Sequence, residues 1–335
     1  MRKTISFVGV LAATASLCLS GIFPAHAAGG PAFPDNQHFF AIDCNGDGYV
    51  WSVDTTNANS TRVGSGPSAG ICGYGATTNP VDGLSYVLYN VGGSYYLGSV
   101  DTANGEITNL PDLTGDVIPS QIWQLIITNS GAAFVTTNSA GGWKFYSLDL
   151  TTSNTTLVGS MGQELKAVGY NPADDTIYGF TEPGNAYTID SSSGVATADP
   201  AHDAILPSKY RCPNNSKRGL KLDGVAFDAN GNPWFQNDGC DSELLVEDFA
   251  TGIVYYKGQF NDASQSVYGN APYFDFYTET IFITSDPVPP APPAPALPAT
   301  GTDALALESL TTVSGALLIV GATILVGIRR HLARK

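Results

Sequence analysis

Tyr96-Leu97-Gly98-Ser99-Val100-Asp101, followed by Thr102-Ala103-Asn104-Gly105, sets out the unit on which this chain is built: a short apolar strand, an aspartate, and a polar turn. The unit recurs as Tyr49-Val50-Trp51-Ser52-Val53-Asp54, Lys144-Phe145-Tyr146-Ser147-Leu148-Asp149, Ala186-Tyr187-Thr188-Ile189-Asp190 and Leu244-Leu245-Val246-Glu247-Asp248. Its aspartates, at 54, 101, 149, 190 and 248, stand 47, 48, 41 and 58 residues apart. Repeats of a single supersecondary unit at such a period bury their apolar faces against one another. The aspartates read as turn residues, whose carboxylates accept backbone hydrogen bonds.

Another hairpin lies ahead of the unit, clearest in Ala167–Phe180 and in Val225–Phe235. Two hairpins per repeat of this length make a four-stranded propeller blade. No window carries a sustained 3.6-residue apolar period, and short alternating runs are separated by Gly, Asn, Asp and Pro, so the fold class is all-β. Residues 36–285 then form a single β-propeller of five blades, with six as the alternative. The first copy lacks its leading hairpin, whereas Tyr273–Ile283 is a leading hairpin without a partner, so the two chain ends share one split blade. Phe39–Ile42 and Thr280–Ile283 both suit its second strand, and one of them is expected to be peripheral. The repeat looks like the degenerate propeller repeats of bacterial surface proteins, a resemblance that speaks to fold more than to function.

Both chain ends carry an address. Arg2-Lys3, the apolar run Ile5–Ile22 and Ala25-His26-Ala27 have the order of a signal peptide spanning residues 1–27. At the other end, Leu297-Pro298-Ala299-Thr300-Gly301 precedes an apolar segment, residues 304–328, and a basic tail, residues 329–335. The segment has the length and low charge of a transmembrane helix, and the tail would stay on the cytoplasmic side. Motif, segment and tail together resemble the LPXTG sorting signal of Gram-positive cell-wall proteins. That resemblance implies cleavage between Thr300 and Gly301 by sortase, with Leu297 and Pro298 in recognition and Thr300 as acyl donor. It also implies covalent attachment to peptidoglycan, after secretion and a transient stay in the plasma membrane. The proline-rich stretch 286–296 reads as a polyproline II stalk, rising about 3.1 Å per residue.

Five cysteines become four once the signal peptide, with Cys18, is removed. An even count outside the cell favours two disulfides. The blade map places Cys44 and Cys240 between second and third strands, and Cys72 and Cys212 at the entrance to first strands, on the same face. The expected pairs are Cys44 with Cys72 and Cys212 with Cys240, each closing a 28-residue loop; such a bridge stabilises by roughly 3 kcal/mol. Cys44 with Cys240 is the rival pairing.

Asp43-Cys44-Asn45-Gly46-Asp47-Gly48, with Asp54 behind it, spaces oxygen ligands as calcium loops do, which makes Asp43, Asn45 and Asp47 candidate Ca2+ ligands. The alternation of Tyr49–Val53 argues for a plain hairpin turn instead. The net charge of −15 excludes nucleic acid as a partner class. Against that acidity Lys209, Tyr210, Arg211, Lys217 and Arg218 gather in the longest insertion, residues 201–221, a candidate ligand-binding loop. Trp123, Trp143 and Trp234 are further contact candidates. No catalytic motif is found, and the acid pairs Asp174-Asp175 and Glu247-Asp248 read as turn residues. The expected function is a wall-anchored binding or adhesion module for an extracellular protein or glycan, without a cofactor. The alternatives are a surface glycan hydrolase or lyase and a passive wall component.

Overall fold

The computed structural model describes residues 30–43, 48–65, 71–117, 122–139, 142–207, 220–238, 242–262 and 280–286. These residues are all-β apart from short 3-10 turns, one of them Pro200–His202. The chain opens with β1 (Gln37–Ile42), β2 (Val50–Val53) and β3 (Asn59–Arg62). Blade I follows as β4 (Cys72–Thr78), β5 (Ser85–Val91), β6 (Ser94–Val100) and β7 (Ile107–Asp112). After the short β8 (Thr114–Gly115), blade II comprises β9 (Ile122–Ile127), β10 (Ala133–Ser139), β11 (Gly142–Asp149) and β12 (Asn154–Ser160). Blade III is β13 (Ala167–Asn171), β14 (Thr176–Phe180), β15 (Ala186–Ile189) and β16 (Ala196–Ala198). Blade IV is β17 (Leu222–Phe227), β18 (Pro233–Asn237), β19 (Glu243–Asp248) and β20 (Ile253–Gln259), and β21 (Asn261–Asp262) and β22 (Ile281–Ser285) complete the order.

Blade V has the order β22-β1-β2-β3, and β22 runs antiparallel to β1 from Gln37↔Ser285 to Ala41↔Ile281. The first strands of the five blades, β4, β9, β13, β17 and β22, neighbour one another in a closed ring. The structure is therefore a five-bladed propeller with a split closing blade. One expectation fails, because neither Phe39–Ile42 nor Thr280–Ile283 is peripheral. β22 takes the innermost place and β1 the second. An innermost strand packs on both faces, so its sequence reads as a continuous apolar run that periodicity cannot rank against a second strand. Residues 273–279 of the supposed leading hairpin lie outside the described residues. Among the described residues no helix is long and apolar enough to cross a membrane, and 304–328 lies outside them.

Strand alternation distributes the core into the seams between blades. In β1, Phe39 and Ala41 point to blade IV and pack with Trp234 and Val246, whereas Phe40 and Ile42 point to blade I and pack with Val87 and Tyr89. The remaining seams hold Leu88, Leu125 and Val135, then Phe145, Leu165 and Val168, then Phe180, Val225 and Leu245. Because side chains on a strand alternate in direction, inner strands such as β1 serve two seams, and the core lies between blades.

The recurrent aspartates govern the outer part of each seam. Each accepts a hydrogen bond at Oδ1 from the amide two residues on: Thr56, Ala103, Thr151, Ser192 and Ala250, at 2.8 to 3.2 Å. Each also accepts at its carbonyl from the amide four residues on, at 2.7 to 2.9 Å. That fifth residue, Ala58, Gly105, Ser153, Gly194 or Gly252, has φ between +54° and +73°. Hydrogen bonds led by those from Thr56, Thr151 and Ser192 hold the carboxyls of Asp54, Asp149 and Asp190 below the ordinary aspartate range.

The preceding blade leans on this turn. A Cβ on Gly64 would meet the carbonyl oxygen of Asn104 at 1.8 Å, one on Gly159 that of Ser193 at 2.0 Å, and one on Gly258 that of Asn57 at 2.1 Å. Short parallel pairs seal three seams: β8 with β12, β21 with β3, and Ile205 with Ile253. Gly258→Ala is accordingly expected to destabilise by about 1–3 kcal/mol, because a methyl group must push two backbones apart. Gly162→Ala meets no atom within 4 Å and has φ of +69°, so it should lose only about 1 kcal/mol, through its backbone conformation. Chemical denaturation of both variants checks this, and equal losses would refute the close-approach argument.

Candidate functional site at the loop face

Antiparallel order puts the connections between second and third strands, and those entering each first strand, on one face of the ring, here the loop face. Within it β4 and β9 are neighbouring first strands. Near their starts stand Tyr74 and Trp123, both half-buried. Tyr74 lies against Tyr95 of β6, with ring centroids 4.9 Å apart. Trp123 meets Trp143 of β11 edge to face at 5.8 Å.

Lys166, the residue before β13, ties the tryptophans to blade III. Its carbonyl accepts from Trp123 Nε1 at 2.8 Å, and its ammonium lies 4.6 Å from the Trp123 ring centroid and 5.4 Å from that of Trp143. Glu164 faces the same ammonium at 3.3 Å and is largely exposed. A cation over two indole faces is held by their quadrupoles, and the rings keep part of its stem out of water.

Beside this cluster the axis is narrow and polar. Gln124 of β9 donates from Nε2 to the carbonyl of Asp223 at 3.0 Å, crossing from blade II to blade IV. The two are not neighbours, so this bond braces the ring across its centre. Gly75 lets the neighbouring inner strands β4 and β9 come close, since a Cβ there would lie 2.6 Å from the Leu125 nitrogen. Gln124, Asp223, Gln236, Asn237 and Glu243 are all buried near this end, with Asn237 Nδ2 donating to Glu243 Oε2 at 3.0 Å. Lys221 closes the rim, with Nζ 3.6 Å from Asp238 and 3.9 Å from Asp223.

Charge divides along the same lines. The described turns joining first to second and third to fourth strands carry acids, among them Asp82, Asp101, Asp174, Asp190, Asp228 and Asp248, and contain no lysine or arginine. Lys166 and Lys221 belong to connections between blades, and Arg62, at the end of β3, stacks 3.3 Å above the Tyr49 ring.

The residues singled out from sequence fall into three groups. Trp123 and Trp143 are brought together at the loop face. Trp234 is not there: it is fully buried between blades IV and V, where its Nε1 donates to Asp228 at 3.0 Å and its ring packs on Phe33 and Phe39. Its neighbours in β18, Pro233 and Phe235, are also buried, so that strand has no exposed side from which a tryptophan could reach solvent. Lys209, Tyr210, Arg211, Lys217 and Arg218 lie outside the described residues, as do Asn45, Asp47 and the sorting signal Leu297 to Gly301.

Asp43 is described, and both its oxygens are engaged: Oδ1 accepts from the Tyr49 amide at 3.1 Å and Oδ2 from Trp51 Nε1 at 3.0 Å. Asp54 sits beyond the far end of β2, roughly 13 Å along the strand by its rise per residue. It therefore caps a different turn and does not complete a loop with Asp43. Among the described residues no group of three His, Cys, Asp or Glu side chains could hold a metal ion.

Cys44, Cys212 and Cys240 also lie outside the described residues, and Cys72 opens β4. The chain segments around Cys44 and Cys72 adjoin. A Cβ on Gly48 would stand 2.5 Å from that of Ile71, and one on Gly73 would stand 3.1 Å from Cγ2 of Ile42. Sequence reading missed Tyr74, Tyr95 and Lys166, whose only signal was proximity to a first-strand entrance for Tyr74 and Lys166 and to a second-to-third-strand turn for Tyr95. It also placed Glu247 at a turn, whereas Glu247 is an interior residue of β19 and fully buried.

No protein-family model matches the chain, and no curated protein matches it. Among solved structures, the chain is similar to one from a nidogen/laminin complex, at 11% identity and a TM-score of 0.45, covering 75% of this chain and all of that one. TolB from Acinetobacter baumannii is similar at 13% identity and a TM-score of 0.40, covering 67% of this chain and 54% of TolB. YCF48 bound to D1 peptide is similar at 11% identity and a TM-score of 0.34, over 66% of this chain and 63% of that chain. At these identities the likeness is one of fold.

Two tryptophan variants separate core from face. Trp234→Ala should cost about 3–5 kcal/mol of stability, as removal of a buried aromatic does. Trp123→Ala, at a half-buried position, should cost less than half of that in the same denaturation experiment. Equal losses would place Trp123 in the core and remove it from the candidate site.

Proposed function

We propose that this protein is a secreted, wall-anchored binding module whose loop face engages an extracellular protein or glycan. Its signal-peptide pattern and LPATG terminus support the address, with sortase and peptidoglycan as processing partners. The observation that carries the binding reading is the gathering of Tyr74, Tyr95, Trp123, Trp143 and Lys166 at the loop face of a rigid ring. Tyr74, Tyr95 and Trp123 are half-buried aromatics that offer large contact area at small entropic cost, with Trp143 buried beneath Trp123 as support, and rigid scaffolds commonly carry binding residues at their loops. The basic residues 209–218 precede β17 in the sequence, and we propose that they take part in the same binding. We further take Cys44–Cys72 and Cys212–Cys240 as staples of that surface, the first supported by the adjoining segments around Gly48 and Gly73.

Two experiments test this reading. Thr300→Ala should shift the protein from the wall-linked to the membrane-retained fraction; equal release by muramidase from mutant and wild-type cells would sink the anchoring proposal. Soluble protein spanning residues 28–286 should bind saturably to at least one member of a panel of host matrix proteins and glycans. Combined Tyr74→Ala and Trp123→Ala substitution should weaken that binding at least tenfold with the fold intact. Unchanged affinity would move the site elsewhere, and no binding across the panel would refute the adhesin reading.

A further inference from the structure

Glu247 lies inside the seam between blades III and IV with nothing to answer its charge. Leu245 and Phe249, two residues to either side of it, belong to the apolar cluster of that seam, so strand alternation turns Glu247 to the same side. It is fully buried, and among the described residues neither carboxyl oxygen has a hydrogen-bond partner. Its neighbours are the wrong ones for an ionised acid. Asp248 follows it on β19, and Asp203 faces it from the segment that crosses from blade III to blade IV.

The other polar groups of the seam are already engaged. His202 Nδ1 is 2.7 Å from Asp199 Oδ2, with the imidazole stacked 4.2 Å from the Phe249 ring. Tyr178 of β14 donates to Asp174 at 3.0 Å, Asp203 Oδ1 accepts from the Ala186 amide at 2.8 Å, and Glu243, further up β19, accepts from Asn237. Tyr256 stands on the adjacent β20. None of these groups is a lysine or an arginine.

The same stretch carries the mechanical link between the two blades. Ile205 N donates to the Gly252 carbonyl at 2.7 Å and Val254 N to the Ile205 carbonyl at 3.0 Å, and Val254 is the cross-strand partner of Glu247. An unpaired carboxylate cannot stay in such a site without water, and parting the segment at 199–206 from β20 would admit it. We propose that the proton on Glu247 is the latch of the blade III–IV seam, and that losing it in alkaline medium loosens this seam ahead of the other four.

Burial first, then Asp203 and Asp248, push the Glu247 carboxyl up to about 8 from an ordinary 4.5. A group bound to its proton more tightly in the folded chain contributes stability that is complete below the unfolded value of 4.5 and is lost as pH rises through about 8. The loss therefore runs from mildly acidic pH, above 4.5, to about 8 and levels off beyond it.

The experiment is denaturant unfolding of the purified protein between pH 6 and 9, with hydrogen exchange followed by mass spectrometry at the same pH values. In wild type the unfolding constant should rise by up to about tenfold per pH unit toward pH 8, and exchange should accelerate in residues 199–206 and β20 before the other seams. Glu247→Gln keeps the shape without the ionisation, and Glu247→Leu removes the polar group altogether. Both should flatten the pH dependence and abolish the local acceleration, whichever of them folds better. The same pH slope in wild type and in a folded variant, or acceleration spread evenly over all seams, would overturn the proposal.

Discussion

The ring holds together because consecutive blades come within backbone contact at their outer seams. Side-chain packing alone cannot bring two four-stranded sheets that close. The approach needs a turn that folds back tightly, and a residue in the exiting strand that presents no Cβ. The aspartate supplies the first requirement with its carboxylate and carbonyl, and Gly64, Gly115, Gly159 and Gly258 supply the second. At the blade III–IV seam a crossing segment does the work, with Asp203 and Ile205 lying against Gly252. Among the described residues that seam also holds Glu247, an acid with neither oxygen hydrogen-bonded. A contact built from a passing segment tolerates an awkward side chain that a glycine-on-carbonyl contact would expel.

Much of this was legible in the sequence, and the reason is physical. The aspartate turn is a local device: its hydrogen bonds run between residues two and four apart, so its signature survives in a short window. Blade number followed from counting those devices. Long-range facts were not encoded that way. β22 was misplaced because a strand buried on both faces has no alternation to distinguish first from second position. Trp234 looked like a contact residue, but Phe33, Phe39 and Asp228 converge on it from distant parts of the chain. Glu247 looked like half of a turn pair because the strand end and the turn abut in sequence, and only the fold shows which side of that boundary is dry.

The loop face shows the opposite balance. Its position was legible from the blade map, since the direction of each strand follows from its rank. Its chemistry was not: Tyr74 and Trp123 stand 49 residues apart in sequence on neighbouring inner strands. Lys166 joins Trp123 to Trp143 only because the segment entering blade III passes over the two indoles. The spacing of the candidate calcium loop is only partly described, since Asn45 and Asp47 lie outside the described residues. What the structure adds is that β2 carries Asp54 away from Asp43, so the two belong to different turns.

The split blade has a mechanical meaning. Where a covalent turn joins first and second strands, tension at the chain end is carried by peptide bonds. Between β22 and β1 there is only a ladder of five register pairs, helped by His38 and Asp286 at 2.7 Å. Any load reaching Asp286 along the axis of β22 pulls that ladder in shear, so its hydrogen bonds share the force and yield together. The same load applied sideways would open them one at a time. A domain closed in this way is stiff to traction from its C-terminal end and weak to peeling, and the direction of pull decides which of the two it meets.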